Sequence, residues 1–377
     1  MTSTADSAFP FRWWEFVWYL LIFCIGAIGN LLVIYVIIFN KKINTTSSFN
    51  ILVMLLAVAD LLVSMVGLPI YYLSTDAFNH PDASHGGDYL CMFFTGYFIP
   101  FFLLDVSVFA LMLIAIGRRK AITKPLSVLD DDDVTIKKIL PILFAIAIPL
   151  ALGMPTVFGL RYTPEKPMVG NHCSYRYTFI ESIVIYCVAF SIDTIIPIVV
   201  LITCFAHISQ SFKRTSKLLT KSVQQQSQQQ QQPNNKIPND AIFKQKLKSI
   251  STMRLVVIAF FLCILPNHVL YLASLAGVGG LGWNTEICQV GVLIRFTNSC
   301  VNPLLYSFMS QKFRKNFKST FPFCFDKRRQ HKKLLLFRPS VRDGLVRRDG
   351  YVAIQNNVSV VGGGASGSGN TASSNVF

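Results

Sequence analysis

Seven long apolar stretches constrain this chain more than any other feature of its sequence. Each holds roughly the 20 mostly apolar residues that an α-helix needs to cross the hydrocarbon core of a bilayer. The stretches run over residues 17–39, 51–73, 92–116, 139–160, 182–206, 255–275 and 287–308. They are continuous, whereas the strands of a membrane β-barrel alternate apolar and polar positions. The pattern predicts an all-α fold, a seven-transmembrane helix bundle.

The composition supports a membrane protein over a soluble one. Charged residues make up 14% of the chain, against about 25% in an average soluble domain. The chain nevertheless holds 35 Lys and Arg against 19 Asp and Glu, a net charge of +16. A basic excess is typical of nucleic-acid-binding proteins, but those domains are polar and this chain is 52% hydrophobic. We therefore expect no nucleic-acid partner.

The basic residues are distributed unevenly about the seven stretches. Of the 35 Lys and Arg, 30 lie on one predicted side of the membrane, the side on which the first, third, fifth and seventh stretches end. The positive-inside rule then predicts an extracellular N-terminus and a cytoplasmic C-terminus in the plasma membrane. The predicted outer loops hold eight acids against four bases. This excess is consistent either with simple solubility or with attraction of a cationic ligand.

The same reading divides the chain into three parts. Residues 1–16 are predicted to be a short extracellular N-terminus and residues 17–309 the transmembrane domain. Within that domain a Gln-rich segment, 222–240, is predicted to be a disordered cytoplasmic loop. Residues 310–377 are predicted to form a short amphipathic eighth helix and a disordered tail.

Four Asp or Arg residues stand out inside the apolar stretches: Asp60, Asp105, Asp193 and Arg295. A charged group in the bilayer is costly, so each is a candidate for a functional role. Four of them on four helices predict an internal polar cavity or network.

Several short motifs occur in order along these helices. They are Gly29-Asn30, Leu56-Ala57-Val58-Ala59-Asp60, Pro197, Phe260 followed by Cys263-Ile264-Leu265-Pro266, and Asn302-Pro303-Leu304-Leu305-Tyr306. Together they resemble the signatures of rhodopsin-like G-protein-coupled receptors, over residues 29–324. The segments 265–271 and 296–303 look most like the peptide-binding branch of that family, bombesin receptors in particular.

The resemblance implies a cell-surface receptor and not an enzyme. Its partners would be a peptide ligand outside, a heterotrimeric G protein and arrestin inside, and membrane lipids around it. Two alternatives stay open. One is a receptor-like protein that does not couple, acting as a decoy or scavenger. The other is a small transporter, although many transporters show paired internal repeats and none is visible here.

The resemblance also implies roles for individual residues. Cys91 and Cys173 would form a disulfide over the pocket, with two free thiols as the alternative. A polar cluster below the pocket would bind Na⁺, or else hold water alone; oxygen ligands suit a hard cation. That cluster comprises Asp60, Ser107, Asn298, Ser299 and Asn302. G-protein coupling and switching would involve Arg118, Phe205, Phe260, Pro266, Pro303 and Tyr306.

Asp105 and Asp193 are expected to lie near each other at the pocket floor, judging from their spacing to Arg118 and Pro197. Two close carboxylates rarely both ionise in a low dielectric. They could share a proton, pair with Arg295, bind a cationic ligand group, or each bond to backbone on its own helix. Further pocket candidates are Asn267, His268 and Tyr271.

Single positions argue against two ligand classes that the family uses. The retinal-binding lysine aligns with Phe296, which argues against a photopigment of the usual kind. The amine-binding aspartate aligns with Pro100, which disfavours monoamines.

The third helix departs from the family pattern at two places. Gly117-Arg118-Arg119 replaces the usual Asp-Arg-Tyr, so position 117 supplies no carboxylate to Arg118. This predicts either raised basal signalling or weak coupling. Cys91 also precedes Arg118 by 27 residues, two more than usual, which predicts a bulge at the outer end of the helix.

Two substitutions change the usual switch residues. Ile264 stands in place of the sixth-helix Trp, and Phe205 in place of the fifth-helix Tyr. Both pack well in a bundle, so they affect the expected mechanism and not the fold.

The segment after Tyr306 has the pattern of an interfacial helix. Phe313 and Phe317 are four residues apart, on one face, and basic residues surround them. Cys324 follows as a candidate for palmitoylation, with a free thiol as the alternative.

Overall fold

The computed structural model describes residues 9–40, 48–123, 135–163, 172–228, 239–309 and 311–320. These residues form a helix bundle with one short β-hairpin. Cys324 and the Gly- and Ser-rich tail lie outside the described residues, as do the side chains of Tyr306 and Phe313.

Seven helical spans make up the bundle. The first is α1 (Trp13–Phe39) and the second α2 (Ser48–Ser74). The third joins α3 (Gly87–Leu90), a π-helical turn (Cys91–Thr95) and α4 (Phe98–Thr123), and the fourth is α5 (Thr135–Gly159). The fifth joins α6 (Phe179–Phe190), a π-helical turn (Ser191–Ile195) and α7 (Ile196–Gln228). The sixth is α8 (Asn239–Leu275), the seventh α9 (Glu286–Met309), and α10 (Gln311–Thr320) follows.

The connection between the fourth and fifth spans contains two antiparallel strands. They are β1 (Leu160–Tyr162) and β2 (Cys173–Tyr175), and Tyr162 pairs with Cys173. Short 3₁₀ turns occur in two other connections, at Ala83–His85 and Val278–Gly280.

Six of the described spans are long and apolar enough to cross a membrane. The seventh, α9, falls short of that measure because it carries Arg295, Asn298 and Asn302 among its apolar residues. It is nevertheless enclosed, since it packs against α1, α2 and α8. A polar helix is tolerated here because the other spans shield it from lipid.

Two large apolar clusters fill the interior, one toward each end. Val36, Leu56, Ile114 and Phe260 belong to the cluster nearer Arg118, and we call this the Arg118 end. Tyr71, Leu104, Leu160 and Phe296 belong to the other, which surrounds the Cys91–Cys173 disulfide; we call this the disulfide end.

The predicted bulge in the third span is confirmed. The π-helical turn at Cys91–Thr95 is followed by Tyr97, which has a left-handed backbone with φ of 62°. Tyr97 is fully buried, and burial holds it in this unusual conformation. Pro100 then lies in the first turn of α4, where its missing N–H costs little.

The fifth span contains a second π-helical turn at Ser191–Ile195. In an α-helix the carbonyl of residue 193 would accept from the N–H of residue 197, which is Pro197 and has none. A π-helical turn accommodates the missing bond. It also turns Asp193 and Thr194 into the buried interior.

A close helix contact explains the glycine of the Gly29-Asn30 motif. A Cβ atom at position 29 would lie 2.8 Å from the Cβ of Pro303. Only glycine therefore lets the first and seventh spans approach this closely. Next to it, Asn30 donates to the carbonyls of Gly26 and Ser299 at 2.9 and 3.0 Å.

Two predicted boundaries were wrong. The Gln-rich segment 222–240 was predicted to be disordered, but α7 continues to Gln228 and α8 begins at Asn239; residues 229–238 lie outside the described part. Glutamine has good helix propensity, which explains the extension. The first helix likewise begins at Trp13, inside the predicted N-terminal segment 1–16.

The predicted eighth helix is present as α10 and docks on the first span. Asn40 donates to the Asn316 carbonyl at 3.0 Å, and Phe317 packs against the core at the Arg118 end. Arg314 and Lys318 are exposed. One apolar and one basic face therefore give the amphipathic helix that the sequence predicts.

Candidate functional site

A cavity of about 130 Å³ lies in the half of the bundle nearer the disulfide. Its walls come from the third, fourth, fifth, sixth and seventh spans and from Tyr175 of the hairpin. All six pocket candidates from the sequence line it, namely Asp105, Asp193, Asn267, His268, Tyr271 and Arg295. The structure thus places these six residues, which lie on four helices, around one cavity.

Arg295 is the central charge of the cavity floor. Its Nη2 donates to the Oδ1 of Asp105 in a short ion pair and lies 3.9 Å from the Oδ2 of Asp193. Its Nη1 donates to the Asn267 amide oxygen at 3.3 Å, and its guanidinium lies 4.8 Å from the Phe101 ring centroid. Of the alternatives left open by the sequence, the structure shows the pairing with Arg295.

A chain of hydrogen bonds leads from Asp193 toward the mouth of the cavity. Thr194 Oγ1 donates to Asp193 Oδ1 at 2.8 Å and lies 2.9 Å from His268 Nε2. His268 Nδ1 is 2.7 Å from the Tyr186 hydroxyl. A hydroxyl has one proton, so His268 Nε2 donates to Thr194 and Nδ1 accepts from Tyr186. The chain holds Asp193 in place through neutral donors.

Aromatic rings form the upper walls of the cavity. Tyr186 and Tyr271 have ring centroids 4.4 Å apart, and Trp283 packs edge-on to Tyr271 at 5.6 Å. Such walls suit apolar and aromatic ligand groups, while the charged floor orients them.

The disulfide between Cys91 and Cys173 is present, as predicted, and ties the hairpin to the third span. Tyr162 N donates to Asp88 Oδ1 at 2.8 Å and holds the hairpin a second time. These two links fix the hairpin over the cavity.

Two imidazoles lie close together beside the disulfide. His80 and His172 have ring centroids 5.0 Å apart, and both rings stack on Tyr162. Burial lowers the pKa of both histidines, and for His172 the neighbouring His80 adds to this. The loops therefore favour neutral imidazoles.

The sequence did not predict that the segment from Phe9 to Arg12 packs against the bundle. Phe9 is fully buried, its carbonyl accepts from the N–H of Asp76 at 3.0 Å, and the N–H of Phe11 donates to the Asp76 side chain at 2.8 Å. Arg12 N donates to the Tyr71 hydroxyl at 2.7 Å. The segment covers the disulfide end of the first and second spans, whose residues do not line the cavity.

A second polar cluster lies deeper in the bundle, around Asp60. Its Oδ1 accepts from Ser107 at 2.7 Å and its Oδ2 from Asn302 at 2.8 Å. Asn298 and Ser299 are buried on the same seventh span. The structure thus joins Ser107 and Asn302 to Asp60, while Asn298 and Ser299, the other two residues assigned to a sodium or polar network, are buried on the seventh span.

The oxygen atoms of this cluster fit a hard cation. Asp60 and Ser107 offer a carboxylate and a hydroxyl, and the Ser299 hydroxyl is buried without a hydrogen bond to another described residue. An unsatisfied buried hydroxyl beside a carboxylate is suited to a bound ion or water.

Three of the predicted switch residues, Arg118, Phe205 and Phe260, lie at the Arg118 end. The Arg118 guanidinium lies 4.5 Å from the Phe49 ring centroid. Phe260 and Ile264 are buried in the core, and Phe205 packs against it. Among the described residues, a Cβ at position 117 would meet no atom within 4 Å, so they leave space for a larger residue beside Arg118.

Several cavity residues carry no separate sequence signal. Phe101, Tyr186 and Trp283 are ordinary aromatic residues in a chain with 31 Phe and 13 Tyr. Thr194 could have been found, since it follows Asp193 and precedes Pro197 by three residues. Its role depends on the π-helical turn, which periodicity does not reveal.

Comparison with known proteins agrees with this architecture. A family model described as 7 transmembrane receptor (rhodopsin family) matches residues 29–306. Galanin receptor 2a of Danio rerio is 26% identical over 317 residues, covering 82% of this chain and 78% of that receptor.

Proposed function

Because the chain belongs to the rhodopsin family of seven-transmembrane receptors, we propose that it is a peptide receptor that signals through a heterotrimeric G protein. It catalyses no reaction; ligand binding shifts a conformational equilibrium of the helices. Proline kinks in the fifth, sixth and seventh spans, at Pro197, Pro266 and Pro303, supply places where such helices pivot.

The cavity is the observation that carries this proposal. It has a charged floor, aromatic walls and a cover tied down by the disulfide. Its volume of about 130 Å³ is below the range of roughly 300–1,000 Å³ typical of drug-sized ligands. A larger ligand that inserts one residue into the floor and spreads over the loops fits this geometry, and a peptide is such a ligand.

The relative supports the same class. The name of the zebrafish protein identifies it as a receptor for galanin, a peptide. The ligand of the present chain is a separate question at 26% identity.

The proposed orientation places the disulfide end outside the cell. Disulfides persist in oxidising compartments, and the basic residues cluster toward the Arg118 end. The Arg118 end would then receive the G protein and arrestin. The basic face of α10 would rest on anionic lipid, where each Lys or Arg contributes about 1 kcal/mol.

Sodium is proposed as an allosteric ion of the Asp60 cluster. Asp60, Ser107 and Ser299 would hold it, and the ion would supply the countercharge that the buried carboxylate lacks among the described residues. We expect NaCl to raise the thermal stability of the purified receptor more than N-methylglucamine chloride does. Equal effects of the two salts, or an unchanged sodium effect in Asp60→Asn, would contradict this.

A screen of peptide libraries on cells with a promiscuous G-protein reporter tests the main proposal. We expect at least one peptide to activate the wild type and to lose potency about tenfold or more in His268→Ala, since a buried hydrogen-bonded group is removed. Val269→Ala is the matched control, because Val269 neighbours His268 but is 53% exposed. Equal losses in both variants would argue against the cavity as the binding site.

A second candidate function is a receptor-like protein that does not couple. The observation that favours it is Gly117, which leaves open space where the family has an acid beside Arg118. Guanine-nucleotide exchange by G protein mixed with the purified receptor separates the two candidates. Stimulated exchange supports coupling, while peptide binding without exchange supports the second candidate.

A further inference from the structure

We propose that the cavity floor is a subsite for an organic ammonium group, with Asp193 as its counter-ion and the amino end of a peptide as its source. The proposal deepens the receptor function above and rests on it for the identity of the ligand. It follows from the charges, the hydrogen bonds and the volume of the cavity.

The charges of the floor do not balance. Two carboxylates, Asp105 and Asp193, face one guanidinium, Arg295. Arg295 donates directly to Asp105, whereas its nearest approach to Asp193 is 3.9 Å. Asp193 is therefore the carboxylate with room for a second cation.

The remaining contacts of Asp193 come from a neutral group. Its Oδ1 accepts from Thr194 at 2.8 Å, and Thr194 is held in turn by His268. These bonds orient the carboxylate without neutralising it. Asp193 is 7% exposed and lines the cavity, so a cation entering there would be largely removed from water. Such charge-assisted hydrogen bonds are strong in a buried site.

Arg295 supplies a second, independent indication of a ligand. Its residue is 6% exposed, and its Nε is buried without a hydrogen-bond partner among the described residues. A buried donor of this kind requires an acceptor. The floor therefore favours a ligand that places a cation with N–H donors at Asp193 and an acceptor oxygen at Arg295.

The first residue of a peptide combines both groups. Its ammonium nitrogen and its carbonyl group are attached to the same Cα atom, so one residue can reach Asp193 and Arg295 together. A lysine side chain brings the ammonium without the adjacent carbonyl.

The volume of the cavity limits the size of the group that the ligand carries beside its ammonium. Its volume of about 130 Å³ is close to the roughly 150 Å³ of an apolar protein cavity that holds benzene. Tyr186, Tyr271 and Trp283 line its upper part. The ring of one aromatic residue matches both the volume and the walls.

Three matched probes test the proposal by thermal unfolding of the purified full-length receptor. L-Phenylalaninamide carries the ring, the ammonium and the carbonyl; phenethylamine lacks the carbonyl; 3-phenylpropanamide lacks the ammonium. We expect phenylalaninamide to bind about tenfold more tightly than 3-phenylpropanamide, from the loss of one charge-assisted hydrogen bond. Phenethylamine should lie between them.

Substitutions of Asp193 test whether this carboxylate causes the preference for the ammonium probe. In Asp193→Asn the preference for phenylalaninamide over 3-phenylpropanamide should vanish, and in Asp193→Glu it should persist. Asp82→Asn is the control, since Asp82 is exposed and does not line the cavity. If Asp193→Asn does not fold, the three probes on the wild type still decide.

Equal binding of phenylalaninamide and 3-phenylpropanamide to the wild type would overturn the proposal, as would a preference retained in Asp193→Asn. Equal binding of phenylalaninamide and phenethylamine would overturn the amino-terminal source and favour a lysine or a free amine. The assay contains no G protein and no library peptide. Its failure is therefore distinct from a failure of the receptor function, which the peptide screen reports.

Discussion

The two buried carboxylate clusters of this bundle are stabilised in different ways. At the cavity floor, Asp105 is held by the guanidinium of Arg295, while Asp193 accepts from the hydroxyl of Thr194 and lies 3.9 Å from Arg295. In the deeper cluster, Asp60 is held by the hydroxyl of Ser107 and the amide of Asn302. The first cluster borders a cavity, and the second is enclosed by packed helices with Asp60 fully buried.

This difference relates to what each cluster can bind. A floor with one cation and two carboxylates can exchange ion-pair partners with a ligand, because the guanidinium and the carboxylates both reach the cavity. A cluster of one carboxylate and neutral donors can accept only a small cation or a proton. The loops differ from both clusters, because partial burial of His80 and His172 lowers their pKa and favours neutral imidazoles.

The largest effect is expected from Arg295→Met. The substitution leaves Asp105 and Asp193 facing each other without a cation, and breaking a buried ion pair costs about 3–5 kcal/mol. Thermal unfolding and surface expression measure the loss. Arg176→Met is the control, because Arg176 is exposed. Adding Asp105→Asn should recover part of the loss; a change in stability below about 1 kcal/mol in the single variant would contradict the role of Arg295.

A smaller effect is expected from Asp60→Asn. The new amide presents an N–H₂ to Ser107 or Asn302, both of which donate to Asp60, and one buried donor is left unsatisfied at a cost of about 1–3 kcal/mol. Combining it with Asn302→Asp restores a donor facing a carboxylate. Thermal unfolding should show the double variant to be more stable than Asp60→Asn; the reverse order would mean that another contact holds the cluster.

A still smaller effect is expected from acidification of the loops. Because burial lowers the pKa of His80 and His172, the unfolded chain binds more protons than the folded one once the pH falls below about 6.5, and folding stability decreases with falling pH. The slope is at most about 1.4 kcal/mol per pH unit for each histidine.

Melting curves of the wild type and of His80→Gln with His172→Gln between pH 7.5 and 5 measure this difference. The double variant should lose less stability on acidification than the wild type does. His85→Gln is the control, since His85 is exposed. Parallel curves for all three proteins would show that the imidazoles of His80 and His172 contribute nothing to the pH dependence.

The smallest effect on stability is expected from Gly117→Asp. A Cβ there meets no atom of the described residues within 4 Å, and aspartate exceeds glycine in helix propensity by only a few tenths of a kcal/mol. The new carboxylate beside Arg118 should nevertheless lower basal signalling at matched surface expression. Gly117→Ala separates the charge from the change in backbone freedom; equal basal activity in the two variants would reject an electrostatic role.

Much of the fold was accessible from the sequence. The apolar stretches located all seven spans, and the spacing of Cys91 to Arg118 predicted the bulge that the π-helical turn produces. The disulfide followed from the family resemblance. The boundary errors occurred where helices extend beyond the apolar region, as α7 does to Gln228, since hydropathy reports burial in lipid and not helix length.

The sequence predicted which residues form the candidate site but not which of them bond to each other. Asp105, Asp193 and Arg295 stood out because charged residues are rare in apolar helices. The unequal distances from Arg295 to the two carboxylates, and the chain through Thr194 and His268, depend on the rotation of each helix about its axis. The π-helical turn changes that rotation in the fifth span. A prediction that assumes 3.6 residues per turn therefore cannot place these atoms.

By itself, the sequence determined the number of helices, their likeness to a receptor family and the short list of buried charges, because lipid imposes a continuous apolar pattern that few other folds need. The tertiary structure alone decided which carboxylate holds Arg295, that Phe9 fills the disulfide end of the first two spans, and that a cavity of about 130 Å³ remains beside Asp193. Those features arise from side chains on distant parts of the chain meeting at ångström precision, which no local pattern encodes.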